Sequence, residues 1–233
     1  MKHCALQTIS AKSKSIPHKN LAVTSDGIQL YKYNLRAAWL SGIYDQVYVI
    51  TDYDYDELIV PPKQFIKEDT SKYKKDGNHH YEAILQGLEA IEKIHGKLDY
   101  LTILLGNCRG GATPQSLSSA THSLMERPTF DSCVSVSCFN MFNPFRAYKD
   151  VNGSLKNWID PDVIKENKVD LNDKNAFEDT YFFNGGFWIV KRDVLVANNG
   201  IPPFTWLGKK IMPYVQAYGI MELDSPWQLK NVL

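Results

Sequence analysis

No stretch of this chain reaches the roughly 18 uncharged apolar residues that a membrane-spanning helix demands, and its first residues lack the long apolar core of an export signal. The 233 residues carry 26 basic and 26 acidic side chains. Zero net charge excludes broad nucleic-acid binding as a main activity, because that affinity comes chiefly from phosphate neutralisation. A local basic site for one small anion is still allowed. Cysteine is scarce: Cys4, Cys108, Cys133 and Cys138, none in the paired spacing of a metal site. Cys4, Cys133 and Cys138 stand in apolar stretches, as small core residues do, and a reducing compartment is the simpler setting. Internal repeats and low-complexity tracts are missing. The chain therefore reads as cytoplasmic, with neither a membrane nor a nucleic acid as partner.

What is present has the rhythm of an α/β protein. The length suits one domain with an inserted subdomain, able to bury roughly 70% of its unfolded surface. Cys4–Ile9 is a first strand, and the loop after it packs Lys12, Lys14 and Lys19 among Ser10, Ser13 and Ser15. Small hydroxyl residues let backbone N–H groups approach an anion, and the lysines supply charge, so this loop is a candidate polyphosphate cradle. Asp26 and Gln29 have capping-box spacing, and Ile28, Tyr31, Leu35 and Ala38 predict a helix that stops at Gly42. Gln46–Thr51 is a second strand, running into the acidic stretch 52–56. A second helix places Tyr81, Ile84, Leu85, Leu88 and Ile91 on one face and ends at Gly96. Tyr100–Leu105 is a continuous apolar run, the pattern of a strand buried on both faces. Thr113 and Pro114 open a third helix with Leu117, Ala120 and Leu124 facing inward. Ser132–Cys138 and Tyr181–Lys191 are further strands; Phe183 and Trp188 on the latter read as core. The order predicts a mostly parallel sheet covered by helices, with ligands outside the carboxyl ends of its strands. Between about 140 and 180 the pattern breaks. Asn152-Gly153 signals a hairpin, and the charged stretch Asp160–Asp179 has little apolar periodicity, so this region is expected to be an inserted arm.

Near the end, Met212–Met221 predicts a strand followed by Glu222-Leu-Asp-Ser-Pro-Trp-Gln228. Ser225 and Gln228 again have capping-box spacing, with Pro226 at the first helical position. If the strand runs on, Glu222 and Asp224 share a side. Two such carboxylates repel, and one takes up a proton unless a cation sits between them. A hard divalent ion held by the carboxylates plus substrate phosphates would resolve the conflict. Alternatively, Asp224 only favours the last helix N-terminus and Glu222 is solvated.

These residues together resemble a known family. Ser13-Lys-Ser-Ile-Pro-His-Lys-Asn-Leu21 resembles the S-K-G-I-P-R-K-N-L signature of the acylneuraminate cytidylyltransferases, the CMP-sialic acid synthetase type of nucleotidyltransferase. Tyr48-Val-Ile-Thr-Asp52 resembles the V-x-S-T-D at the end of that family's second strand, and Asp76 the aspartate of its L-A-x-D motif. Leu104-Leu105 falls where L-L-Q-P-T-S-P stands. Asn143-Pro-Phe-Arg146 resembles H-P-x-R, Asn184-Gly-Gly the N-G-A/G strand, and Glu222-Leu-Asp224 the terminal D-I-D metal pair. The matches span nearly the whole chain. There are departures: the family loop A-R-G-G-S-K is here shortened to Ala11-Lys-Ser-Lys14, without glycine and with Lys12 for arginine. Gly106-Asn-Cys-Arg-Gly110 replaces Q-P-T-S-P. Val60-Pro61-Pro62 cannot continue the helix usual after the second strand.

The resemblance implies a three-layer Rossmann-like nucleotidyltransferase fold and a CTP-dependent transfer of CMP to a small acidic acceptor, a nonulosonate-type sugar acid, with release of pyrophosphate. By resemblance Ser10, Ala11, Lys12, Ser13 and Lys14 form the nucleotide loop. Lys12, Ser13 and Lys14 grip the outer phosphates, Lys19 reaches the α-phosphate, and Asn20, Asp76, Gly106 and Asn107 contact the nucleotide. Lys12 and Lys19 are the catalytic candidates. His79, Arg109, Arg146 and Asn184 are candidates for the acceptor, with His80 beside His79, and Glu222 and Asp224 would hold Mg²⁺. A homodimer paired through the arm, in cell-surface glycan biosynthesis, is likewise implied. On sequence three alternatives stay open: a phosphonate or small phosphorylated acceptor, a non-catalytic nucleotide-binding relative, and a metal-dependent glycosyltransferase. The last is disfavoured by a carboxylate pair at the end of the chain instead of its middle.

Overall fold

The structure is a computed structural model that describes residues 1–13, 15–74, 77–166, 170–173, 178–216 and 222–229. Nine strands and six α-helices are seen among the described residues: β1 (His3–Ile9), α1 (Lys32–Ser41), β2 (Val47–Thr51), β3 (Phe65–Lys67), α2 (His79–His95), β4 (Tyr100–Leu105), α3 (Pro114–Glu126), β5 (Ser132–Cys138), β6 (Tyr148–Val151), β7 (Ser154–Asn157), α4 (Pro161–Glu166), β8 (Tyr181–Lys191), α5 (Arg192–Ala197), β9 (Ile211–Gln216) and α6 (Pro226–Leu229). Seven strands form one sheet in the order β3-β2-β1-β4-β8-β5-β9. β1 pairs in parallel with β2 and β4, β2 with β3, and β5 with β9; β8 alone runs antiparallel, between β4 and β5. The mostly parallel sheet expected from the sequence is present.

Helices cover both faces because the central strands are apolar on both sides. On one face Tyr31, Leu35 and Ala38 of the α1 region join Leu117, Ala120 and Leu124 of α3 over Ala5, Val49, Phe187 and Ile189. On the other, Ile84, Leu88 and Ile91 of α2 pack with Leu195 and Trp206 over Leu6, Ile50, Ile103 and Val190. Each valine, leucine, isoleucine or phenylalanine among them contributes about 1.5–3 kcal/mol by leaving water. α2 stops at Gly96 and α3 starts at Pro114, where the sequence places them. Asn78 caps α2 by accepting from the Tyr81 N–H at 3.2 Å, and Thr113 with Ser116 forms a reciprocal capping box ahead of Pro114.

Four expectations are corrected. The first helix begins at Lys32, not at 26–29, because residues 22–30 fold back on themselves: Val23 bridges Gln29, and the Leu30 N–H donates to Ala22 O at 2.9 Å. Asp26 is thereby taken from its capping role and accepts hydrogen bonds from the Thr24 and Tyr33 hydroxyls. Cys138 is exposed, whereas Cys4, Cys108 and Cys133 are buried; burial pushes the Cys4 thiol up to about 11 and Cys133 to about 12. Phe183 is exposed and stacks on Phe204 at 5.6 Å between ring centres. The charged stretch after Asp160 holds the short helix α4, whose buried residue is Ile164.

The expected hairpin is β6–β7. Asn152 and Gly153 both take positive φ (55° and 78°), as a turn matched to strand twist requires. Residues 217–221, the end of the expected last strand, lie outside the described residues. No helix among those described is long and apolar enough to cross a membrane.

Candidate active site

The chain runs from β1 outward to β2 on one side and to β4 on the other. That reversal opens a crevice at the carboxyl ends of β1 and β4, where α/β sheets bind ligands. Into it project the loop after Ile9 and the turn after Leu105. A cavity of about 890 Å³ lies there, large enough for a nucleotide-sized ligand.

Loop 10–20 is tied down at both ends. Asp52 Oδ1, at the end of β2, accepts from the Ala11 N–H at 2.7 Å, and Asn20 Nδ2 donates to Ser10 O at 3.1 Å. Lys12 reaches across the mouth, its Nζ 3.3 Å from Thr70 Oγ1 and 4.0 Å from Asp52 Oδ2. Asn20 is buried, and a Cβ on Gly106 would lie 2.6 Å from Ile9 Cγ2 and 3.0 Å from Asn20 Oδ1. Glycine at 106 thus lets the turn after β4 close against the loop after β1.

Segments near the start and near the end of the sequence meet in this cavity. Lys19 Nζ lies 2.6 Å from Asp224 Oδ1. Asn107 Nδ2 donates to both acids, 3.3 Å from Glu222 Oε2 and 3.3 Å from Asp224 Oδ1. The segment 222–224 is not a strand; it is docked through the Leu223 N–H on Asn107 O at 2.9 Å, with the Leu223 side chain buried. Burial, and then the Asp224 charge, raise the Glu222 carboxyl above the ordinary glutamate range, while Asn107 and Lys19 pull the other way. No cluster of three or more His, Cys, Asp or Glu stands ready for a metal among the described residues. The donor set fits a hard divalent ion that brings further oxygens with its ligand: two carboxylates share one amide, and one of them is held at a cost in its ionised form.

Behind the acids lies β8. Gly185 has φ +75°, and a Cβ there would fall 2.1 Å from Glu222 Cγ. Asn184 is buried beneath, bonding Ser135 Oγ at 2.7 Å, Ser137 Oγ at 3.1 Å and Gln216 Oε1, so it supports the site from inside the sheet and is not on the cavity wall.

Ser10, Lys12, Ser13, Lys19, Asn20, Gly106, Asn107, His79, Glu222 and Asp224 are all brought to one cavity. Arg109 is not; it pairs with Asp26 at 3.4 Å and lies over the Tyr33 ring. Arg146 is exposed in the turn 144–146, off the cavity wall. Lys14 and Asp76 lie outside the described residues.

The cavity has further walls: His80, already a candidate beside His79, and Trp188, Phe204, Glu68 and Tyr73, which the sequence did not assign to a site. His80 sits with Nε2 3.1 Å from Thr8 Oγ1 and its ring 5.6 Å from Trp188; enclosure lowers it to about 4, leaving a neutral imidazole at pH 7. Trp188 and Phe204, 5.2 Å apart, line the aromatic side. Glu68, raised by burial, accepts from the Tyr73 hydroxyl, and Tyr73 lies over His79. Trp188 was legible as an inward residue of an alternating strand; nothing in the 68–73 stretch marked it as part of a site.

No protein-family model matches the chain. Solved structures do share its path. One is CMP:2-keto-3-deoxy-manno-octonic acid synthetase complexed with CTP, at TM-score 0.64 and 14% identity, covering 99% of this chain and 96% of the other. The fold is shared. A second is 4-diphosphocytidyl-2C-methyl-D-erythritol synthase from Anaerococcus prevotii, at TM-score 0.62 and 9% identity, covering 99% and 93%. The bifunctional IspDF from Campylobacter jejuni follows at TM-score 0.62 and 11% identity, covering all of this chain (100%) and 54% of the other. At these identities the likeness is one of architecture, and function rests on the site.

Proposed function

We propose that this chain is a CTP-dependent cytidylyltransferase that passes CMP to a small acidic acceptor, a nonulosonate-type sugar acid, and releases pyrophosphate. The observation that carries it is the 2.6 Å meeting of Lys19 with Asp224 at the switch point of the sheet. A cation from the first loop and an acid from the last segment converge where a triphosphate would need both. The name of one protein of the same fold, a CMP–sugar acid synthetase with bound CTP, supports the choice of nucleotide and acceptor class.

The acceptor hydroxyl attacks the α-phosphorus while the bond to the bridging oxygen breaks and pyrophosphate departs. Such a transfer needs alignment and charge neutralisation more than covalent help. Lys12 and Ser13 would bind the outer phosphates, and Lys19, exchanging Asp224 for the nucleotide, would neutralise the α-phosphate or the leaving oxygen. Asn20, Gly106 and Asn107 would hold the nucleotide against the loop. Glu222 and Asp224 would hold Mg²⁺, which when bound supplies positive charge to the phosphoryl oxygens. His79, on the wall, would face the acceptor. Completing the proposal are one nucleotidyltransferase domain with an arm at 140–180, a cytoplasmic homodimer, and a place in cell-surface glycan biosynthesis.

One observation favours a second acceptor, a phosphonate or small phosphorylated metabolite. The lysines on the described walls grip phosphate as point charges, and the arginines that would fork a planar carboxylate stand elsewhere. Pyrophosphate release, measured with each nucleoside triphosphate, Mg²⁺ and a panel of acceptors, separates the two. Release with CTP and a sugar acid is expected; release with phosphonates alone selects the second acceptor, and CTP binding without turnover refutes both.

A further inference from the structure

The acidic segment is held by two uncharged amides. Asn107 grips its side chains and its middle N–H, as described above. The second amide is Gln228, and it grips the backbone. Gln228 Oε1 accepts from the Asp224 N–H at 2.7 Å and from the Ser225 N–H at 2.6 Å, while its Nε2 donates to Glu222 O at 2.9 Å. One side chain thus closes a ring around residues 222–225, the very stretch whose two carboxylates face the cavity. Leu223 is the buried apolar anchor of this segment. Ser225 and Gln228 were legible in the sequence as a capping box, and a cap alone would satisfy the Ser225 N–H. The additional bonds to Asp224 and Glu222 are not needed to start a helix as short as α6. They fix the spacing of the acids.

We propose that Gln228 is a positioning residue that sets the geometry of the Glu222–Asp224 pair for a divalent cation. This rests on the cation site of the proposed function, and it concerns a residue that would touch neither metal nor nucleotide. Groups that orient ligating carboxylates typically change metal affinity or activity by about 10–100-fold when removed. Stability should move little, because the Asp224 and Ser225 N–H groups freed by the loss sit in an exposed or half-exposed segment and can turn to water.

Mn²⁺ binding, followed by its paramagnetic resonance signal with CTP present and no acceptor, tests this. Wild type, Gln228→Met, Gln228→Ala and Asp224→Ala are compared, each with a thermal melt. Methionine keeps the volume and the helix and removes all three hydrogen bonds. The expected result is Mn²⁺ affinity about 10–100-fold weaker in both Gln228 variants, with a melting shift no larger than about 2–4 °C. Wild-type affinity in Gln228→Met overturns the proposal. If Asp224→Ala also binds Mn²⁺ like wild type, it is the cation site itself that fails; if Asp224→Ala loses Mn²⁺ and Gln228→Met does not, only the role of Gln228 fails. Should the Gln228 variants not fold, amide exchange in the wild-type protein decides. The Asp224 and Ser225 amides are expected to be protected, and free exchange at both would refute the grip.

Discussion

Replacing Lys19 by methionine would separate what this residue does for folding from the catalytic role proposed for it. The ammonium sits 2.6 Å from Asp224, yet the two partners differ in surroundings: the Lys19 side chain is 14% exposed and that of Asp224 is 60% exposed. An ion pair with one side chain that open to solvent contributes about 1 kcal/mol or less. Methionine keeps the apolar stem in place, so a chain of this length should lose no more than about 2–4 °C in melting temperature. Catalysis should suffer far more. Removing one preorganised charge aimed at the reacting phosphate costs roughly 10²–10³ in turnover, or about 2.7–4 kcal/mol. The loss should fall on kcat, since the interaction strengthens as charge moves to the leaving oxygen. The assay is pyrophosphate release at saturating CTP and Mg²⁺, beside a melt followed by circular dichroism. Unchanged kcat would refute the role, and so would a collapse in melting temperature large enough to explain the lost rate.

Three further outcomes are expected. Glu222→Gln should melt higher while losing turnover: burial raises the Glu222 carboxyl, so its ionisation at neutral pH costs stability, a cost relieved as pH falls below its folded value. A lower melting temperature at pH 7 would contradict this. Gly185→Ala should displace Glu222, because the new Cβ would sit 2.1 Å from Glu222 Cγ on a backbone with φ +75°; loss of Mn²⁺ affinity with an intact dichroism spectrum is the expected readout. His3 is buried, bonds Thr102 Oγ1 at 2.8 Å, and is lowered to about 4 from 6.5. The stability it contributes is full above 6.5 and is lost as pH falls toward 4, on the order of 3 kcal/mol; denaturant titrations across that window should show a slope that weakens in His3→Asn.

Sequence patterns that depend on neighbours in the chain were readable, and those that depend on distant parts were not. The strand character of β1, the continuous apolar run of β4, the apolar face and glycine stop of α2 and the capped start of α3 are local and stand where expected. The start of α1 is an exception: the fold-back of residues 22–30, close in sequence though it is, removed Asp26 from its cap. Antiparallel β8 carries no mark of its direction, because alternation looks the same either way along a strand. In the site, Lys19 and Asp224 are separated by 205 positions, and only a family resemblance and the expected sheet order could bring them together. Arg109 shows the limit of reading by residue type. Its guanidinium suits an acid, and the acid it found is Asp26.

The reversed course of β8 has a consequence for how this molecule can vary. Cys138, the last residue of β5, pairs with Tyr181, the first of β8, so the chain leaves the sheet and returns to it on the same margin, the margin that bears the cavity. The 42 intervening positions, 139–180, are therefore inserted between two strand ends of that margin. Lengthening or trimming them would change what the sheet carries at that margin while every rung of the ladder behind it stays put.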